Sequence, residues 1–176
     1  MRPVYGETPD QVARSVSEII RIGAVGINLE DNLEERTPHP ERPIRSVEDA
    51  VDRIRAAREA ARAEDVPLVI NARIDLYLKH IGDDETRFAE TVRRGQAYMA
   101  AGADCVFPFV LTDLKTISEL VAALRSPLNI VGRAGMPSIA RLEQLGVARV
   151  STASGPSLVA VSLYTSADLS MRSSNL

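Results

Sequence analysis

Two short runs carry the residues best suited to chemistry in this 176-residue chain: Asn28-Leu29-Glu30-Asp31-Asn32 and Asn71-Ala72-Arg73-Ile74-Asp75. Each closes an apolar stretch, so each reads as the carboxyl end of a β-strand. In parallel α/β folds, ligands bind beyond those ends. Strand alternation aims Asn28 and Glu30 to one side, and Asn71, Arg73 and Asp75 to one side. An acid so placed can hold a divalent metal, directly or through water. An arginine there can clamp a carboxylate or phosphonate through two parallel N–H bonds. The same spacing also suits a Glu–Arg ion pair that merely closes neighbouring strands.

The elements that must position these residues alternate regularly. Strand-type runs occur at Val25–Leu29, Leu68–Ala72, Cys105–Phe107, Leu128–Val131 and Ala148–Ser151. Most are unbroken apolar runs, as expected for parallel strands covered on both faces. Thr8-Pro9-Asp10-Gln11 is a capping box with proline at the first helical position, followed by the stripe Val12, Val16, Ile19 and Ile20. Ser46 opens a second helix with the stripe Val47, Val51, Ile54 and Ala61, and with Arg and Glu on its opposite face. Further helices are predicted over about Glu85–Ala101, Leu114–Leu124 and Pro137–Leu145, with acids Asp83-Asp84-Glu85 favouring the start of the third. Three helices end in glycine before a strand, at Gly23-Ala24, Gly102-Ala103 and Gly146-Val147. Helix-Gly-strand, repeated, means βα units with right-handed crossovers and an α/β fold. Periodicity alone leaves an open doubly wound sheet and part of a closed barrel equally possible.

Two stretches depart from this pattern. Asp31 to Arg45 is a long charged loop with Pro38, Pro40 and Pro43, the kind that usually serves as a lid. From Gly155 the chain decays into serine-rich sequence, so the expected division is residues 1–154 as the folded domain and 155–176 as a weakly helical or disordered tail. The net charge of −3 and an aromatic content of 4% disfavour nucleic acid and acidic membranes as partners. No apolar stretch is long enough to span a bilayer and no signal peptide is evident, so a cytoplasmic location is expected. Cys105, the single cysteine, sits in an apolar run and reads as a small buried hydrophobe. His39 and His80 read as solvated surface residues.

Gly26-Ile27-Asn28-Leu29-Glu30-Asp31 and Ile70-Asn71-Ala72-Arg73-Ile74-Asp75 resemble the isocitrate lyase / phosphoenolpyruvate mutase superfamily. Tyr5-Gly6-Glu7-Thr8-Pro9, Ala100-Ala101-Gly102-Ala103-Asp104, Pro137-Ser138 and Leu145-Gly146-Val147-Ala148-Arg149-Val150-Ser151 extend the likeness in the same order. The resemblance covers about residues 4–156. It implies a partial (β/α)8 TIM barrel in which these strands stand as strands four to eight, with the three preceding units absent. It also implies Mg²⁺-dependent (Mn²⁺ being the other candidate) lyase or mutase chemistry on a small 2-oxo carboxylate. In that reading Glu30 is a metal-shell acid and Arg73 the substrate-anion arginine. Arg73 and Asp31 are its catalytic residues, Asn28, Asn32 and Arg133 join Arg73 in binding substrate, and Asp31 and Asn32 stand where the gating loop begins. Pro108-Phe109 falls where the sixth strand meets the pocket floor.

The sequence departs from the family pattern in several places. Arg2 stands where the second acid of an Asp-x-Glu or Asp-x-Asp pair would be. Residues 31–45 contain neither Cys nor Lys, so the Lys-Lys-Cys-Gly-His loop of the true lyases has no counterpart, and the Lys-Asn-Ser loop of the hydrolases and mutases is missing too. A catalytically inactive family member, or a small-anion-binding α/β domain, is the alternative. The open edge beside Ile27 and Leu29 leads us to expect a homo-oligomer.

Overall fold

Side-chain caps start each helix where the sequence requires it. Thr8 Oγ1 accepts from the Gln11 backbone N–H while Gln11 Oε1 accepts from the Thr8 N–H, both at 3.3 Å, which completes the capping box. Ser46, Asp83, Asp113 and Ser138 cap the other helices through the N–H three residues on. The computed structural model describes residues 6–33, 43–132 and 136–152. In chain order they form α1 (Pro9–Arg21), β1 (Gly26–Glu30), α2 (Val47–Ala63), β2 (Val69–Ile74), α3 (Asp84–Ala100), β3 (Cys105–Pro108), α4 (Leu114–Leu124), β4 (Asn129–Val131), α5 (Ile139–Gln144) and β5 (Arg149–Ser151). The fifth helix is shorter than predicted, because Ser138 is its cap rather than an interior residue. The tail from residue 155, together with Arg2, His39 and Arg133, lies outside the described residues.

The strands run parallel in sequential order. β1 pairs with β2 and β2 with β3, β4 pairs with β5, and a parallel bridge between Val106 and Leu128 joins the two groups. No reversal of order occurs among them, so the switch point of a doubly wound sheet is absent from the described strands. The core lies between sheet and helices, where Val12, Val16, Ile54, Ile70, Ile74, Ile117 and Leu120 are almost fully buried. No helix among the described residues is long and apolar enough to cross a membrane.

Two expectations need correction. β1 is not covered on both faces: Ile27 and Leu29 are buried against helices, but Asn28 is exposed and Val69 beside it is 46% exposed. An edge strand with nothing described opposite it alternates in burial, and a shallow cavity over Asn28, Val69 and Arg149 marks the open face. Nor is α2 charged only on its outer face. Arg53 is 3% exposed, because two backbone carbonyls satisfy it inside.

The predicted glycine turns are present, with positive φ at Gly23, Gly102 and Gly146. Gly102 does more than turn the chain. At φ +108° its carbonyl accepts from Arg58 Nε and Nη2, at 3.0 and 2.8 Å, and an added Cβ would meet Arg58 Cγ at 3.1 Å. Gly102→Ala should therefore cost about 1–2 kcal/mol, since the left-handed region strains any residue with a Cβ. Urea denaturation will measure it, and an unchanged midpoint would refute the strain argument.

Candidate functional site

The β1–β2 register places Asn28 opposite Asn71 and Glu30 opposite Arg73. Side-chain contacts close both layers, a hydrogen bond in the first and an ion pair in the second. Asn71 Nδ2 donates to Asn28 Oδ1 at 2.7 Å, leaving the buried Asn71 Oδ1 without a partner. One layer further along, Arg73 Nη1 meets Glu30 Oε2 at 2.7 Å.

Arg73 is held on three sides. Its Nε and Nη2 donate to the two carboxylate oxygens of Asp75 at 2.6 and 2.9 Å, the parallel fork that suits a guanidinium. Asp75 itself has no solvent exposure. The Phe109 ring lies over the guanidinium, 3.7 Å from Cζ to centroid, and Phe107 meets Phe109 edge to face at 5.5 Å. Phe109 reaches this place because its N–H continues the β2–β3 pairing to the Ile74 carbonyl. The proline-phenylalanine pair expected at the pocket floor thus supplies the arginine's stacking partner.

Asp31 lies on the other side of its strand. It shares the parity of Ile27 and Leu29, so it points among the helices and is 1% exposed. Its Oδ1 accepts from the Asp75 N–H at 2.9 Å, and its Oδ2 accepts from Arg94 Nη1 at 3.0 Å and Tyr98 Oη at 2.9 Å. Burial pushes the Asp31 carboxyl up to about 6, against the pull of Arg94. Burial also drives the Tyr98 hydroxyl far above its ordinary value, with the Asp31 charge adding to it. Asp31 therefore ties the end of β1 to the end of β2 and to α3. It does not share a face with Glu30.

The loop after β1 is clipped at its base. Asn32 bridges Ile44, Leu33 N–H donates to the Pro43 carbonyl, and Arg45 N–H donates to the Asp31 carbonyl. Asn32 Oδ1 is buried there without a partner. Residues 34–42 lie outside the description. Arg53 Nη1 donates to the Glu30 carbonyl at 3.0 Å, and its Nη2 to the Gly6 carbonyl at 2.9 Å. It thereby pins the turn before α1 beside the carboxyl end of β1. Desolvation lowers Arg53 to about 10, so it stays charged near neutrality.

Asp75 and Arg94 carry this geometry, yet their roles were not assigned from sequence. For Asp75 the signal existed, an acid two residues past Arg73 on one strand face. Arg94 gave none, since a buried arginine in a helix reads like any exposed one.

The described residues do not by themselves build a metal cradle. Among them no three His, Cys, Asp or Glu side chains converge. Asp75 has both oxygens on Arg73 and Asp31 has both engaged, which leaves Glu30 as the acid at the site with an oxygen to spare. A cavity of about 860 Å³ lies elsewhere, over Tyr77, Phe88, Val110 and Leu111 between the starts of α3 and α4. Of the cations lining it, Arg87 is paired with Asp84 at 2.9 Å and Lys115 lies 3.8 Å from Glu119.

Relatives share this arrangement of elements. The model of the phosphoenolpyruvate phosphomutase family matches residues 1–171. A 2-methylisocitrate lyase of Escherichia coli K12 is 36% identical over 126 residues, covering 70% of this chain and 40% of the relative. Oxaloacetate decarboxylase 2 of Pseudomonas fluorescens Pf0-1 is 30% identical over 140 residues, covering 79% and 45%. Among solved structures, a Burkholderia cenocepacia J2315 protein proposed to be a phosphonomutase superposes with a TM-score of 0.83 at 38% identity, over 97% of this chain and 66% of that one. The 2,3-dimethylmalate lyase structure, a PEP mutase/isocitrate lyase superfamily member, gives 0.72 at 26% identity, over 90% and 54%. The chain spans about half the length of the curated relatives it matches. On the family match and these likenesses together, the chain belongs to the phosphoenolpyruvate phosphomutase family, within the PEP mutase/isocitrate lyase superfamily.

Proposed function

We propose that this chain carries part of the site for lyase- or mutase-type chemistry on a small 2-oxo carboxylate, with Arg73 as its anion-binding group. The observation that supports this most is the arginine's setting. It is stacked on Phe109, forked onto a buried Asp75, and placed at the carboxyl end of a parallel strand. A guanidinium fixed in that way is already oriented toward charge developing on an enolate or carboxylate oxygen. A relative named for oxaloacetate, itself a 2-oxo carboxylate, fits that substrate class, and 2-methylisocitrate and 2,3-dimethylmalate are 2-hydroxy carboxylates whose C–C cleavage releases a 2-oxo acid.

Within this reading the sequential strands are part of a (β/α)8 barrel, corresponding to strands four to eight. Asn28 supports Asn71 in the layer below, and Asn32 and Arg133 contribute polar contacts at the rim. Asp31 acts by positioning rather than by touching substrate. Glu30 would join a Mg²⁺ or Mn²⁺ shell together with donors from outside the described residues. A cytoplasmic homo-oligomer is the state we assign to the working protein.

The test is direct. The chain is titrated with pyruvate by calorimetry, and then incubated with oxaloacetate and Mg²⁺ while pyruvate release is followed. We expect saturable pyruvate binding that disappears in Arg73→Gln. Binding that survives in Arg73→Gln would overturn the assignment. Binding without turnover would identify the inactive family member.

A further inference from the structure

We infer that Glu30 is a built-in competitor for the anion site, its carboxylate holding the Nη1 end of Arg73 against an external carboxylate. This rests on the reading of Arg73 as an anion binder and deepens it. A guanidinium offers two bidentate edges, one through Nε and Nη2 and one through Nη1 and Nη2. The first belongs to Asp75, at 2.6 and 2.9 Å, and that carboxylate is wholly buried. One face is covered by Phe109 at 3.7 Å. Glu30 Oε2 forms an ion pair with Nη1 at 2.7 Å, beside the second edge, on a side chain that is 36% exposed. An incoming carboxylate on that edge therefore shares Nη1 with the Glu30 charge.

Charge points the same way. Arg73 contributes one positive charge and faces two carboxylates, so the trio is net negative and repels an anion until Glu30 leaves or is neutralised. Asp75 cannot yield in its place, because withdrawing it would strand a buried carboxylate. Glu30 can yield, since its side chain already reaches solvent.

The consequence is measurable on the apo chain. Pyruvate is titrated, without added metal, into the wild type, Glu30→Gln and Glu30→Ala, with the neutral pyruvamide as the charge control. Removing the competing carboxylate should tighten pyruvate binding by about threefold to tenfold, the range expected for a partly exposed ion pair. Pyruvamide binding should not change, and the gain should vanish when Arg73→Gln is added. Unchanged or weaker pyruvate binding in both Glu30 variants, with the wild type still binding, would overturn the competition while sparing the anion site. If pyruvate binds neither the wild type nor the Glu30 variants, the anion-site reading itself falls, and the inference with it. Thermal denaturation of the Glu30 and Arg73 variants keeps a folding defect from being mistaken for any of these results.

Discussion

Arg73→Ala is expected to destabilise the fold by about 3–5 kcal/mol, the range seen when one partner of a buried ion pair is removed. The reason is Asp75. Its carboxylate has no solvent exposure and both its oxygens rest on Arg73, so truncation leaves a buried charge with no cation. Glu30→Gln should cost no more than about 1 kcal/mol, because that ion pair lies near solvent. The contrast separates a structural fork from an exposed contact. Guanidinium denaturation of both variants, and of Arg73→Ala/Asp75→Ala, will measure it. The double variant should recover part of the loss, since it removes the stranded charge. Equal costs for Arg73→Ala and Glu30→Gln would show that Asp75 is not held as described.

The second large effect concerns Arg94 and depends on pH. Arg94→Met should cost about 3–5 kcal/mol at pH 8, again by stranding a buried carboxylate, here Asp31. At pH 5 the cost should be smaller by at least about 1 kcal/mol, roughly one pKa unit. Burial holds the folded-state carboxyl near 6, above its ordinary 3.8, so the folded chain binds that proton more tightly than the unfolded one. The stability this residue provides is therefore complete below about 3.8 and declines as pH rises toward about 6. Without the attraction of Arg94 the carboxyl rises further, and at pH 5 Asp31 is a neutral acid still bonded to Tyr98 and the Asp75 N–H. Glu90 also loses a partner, but it keeps Arg93 at 2.7 Å. Equal losses at pH 5 and pH 8 would remove Asp31 from this account.

The two effects meet at one place. Asp31 holds the Asp75 N–H, and Asp75 holds Arg73, so the buried network on the helix side fixes the arginine on the open side. Arg53 does the same for the other strand, through the carbonyl of Glu30. The polar groups at the β1 and β2 ends are thus anchored from behind, by residues that a ligand on the open face does not touch.

Local sequence settled the elements themselves. Apolar period, caps and glycine turns are decided by neighbours within a few residues, so all five helices and five strands were legible, and their ends were displaced only slightly. Alternation also determined which polar residues share a face, which is why Glu30 and Arg73 could be paired before any contact was known. What the sequence left open depends on distance along the chain. Parity alone set Asp31 on the side of Ile27 and Leu29, but the arginine that pairs with its carboxylate lies 63 residues away, and Arg73 gained its stacking ring from a strand end 36 residues on. Sequential strand order likewise follows from hydrogen bonds between separate segments, which periodicity does not encode. The residues and their faces came from the chain; the choice between a free arginine and one clamped between two carboxylates came only from packing those segments together.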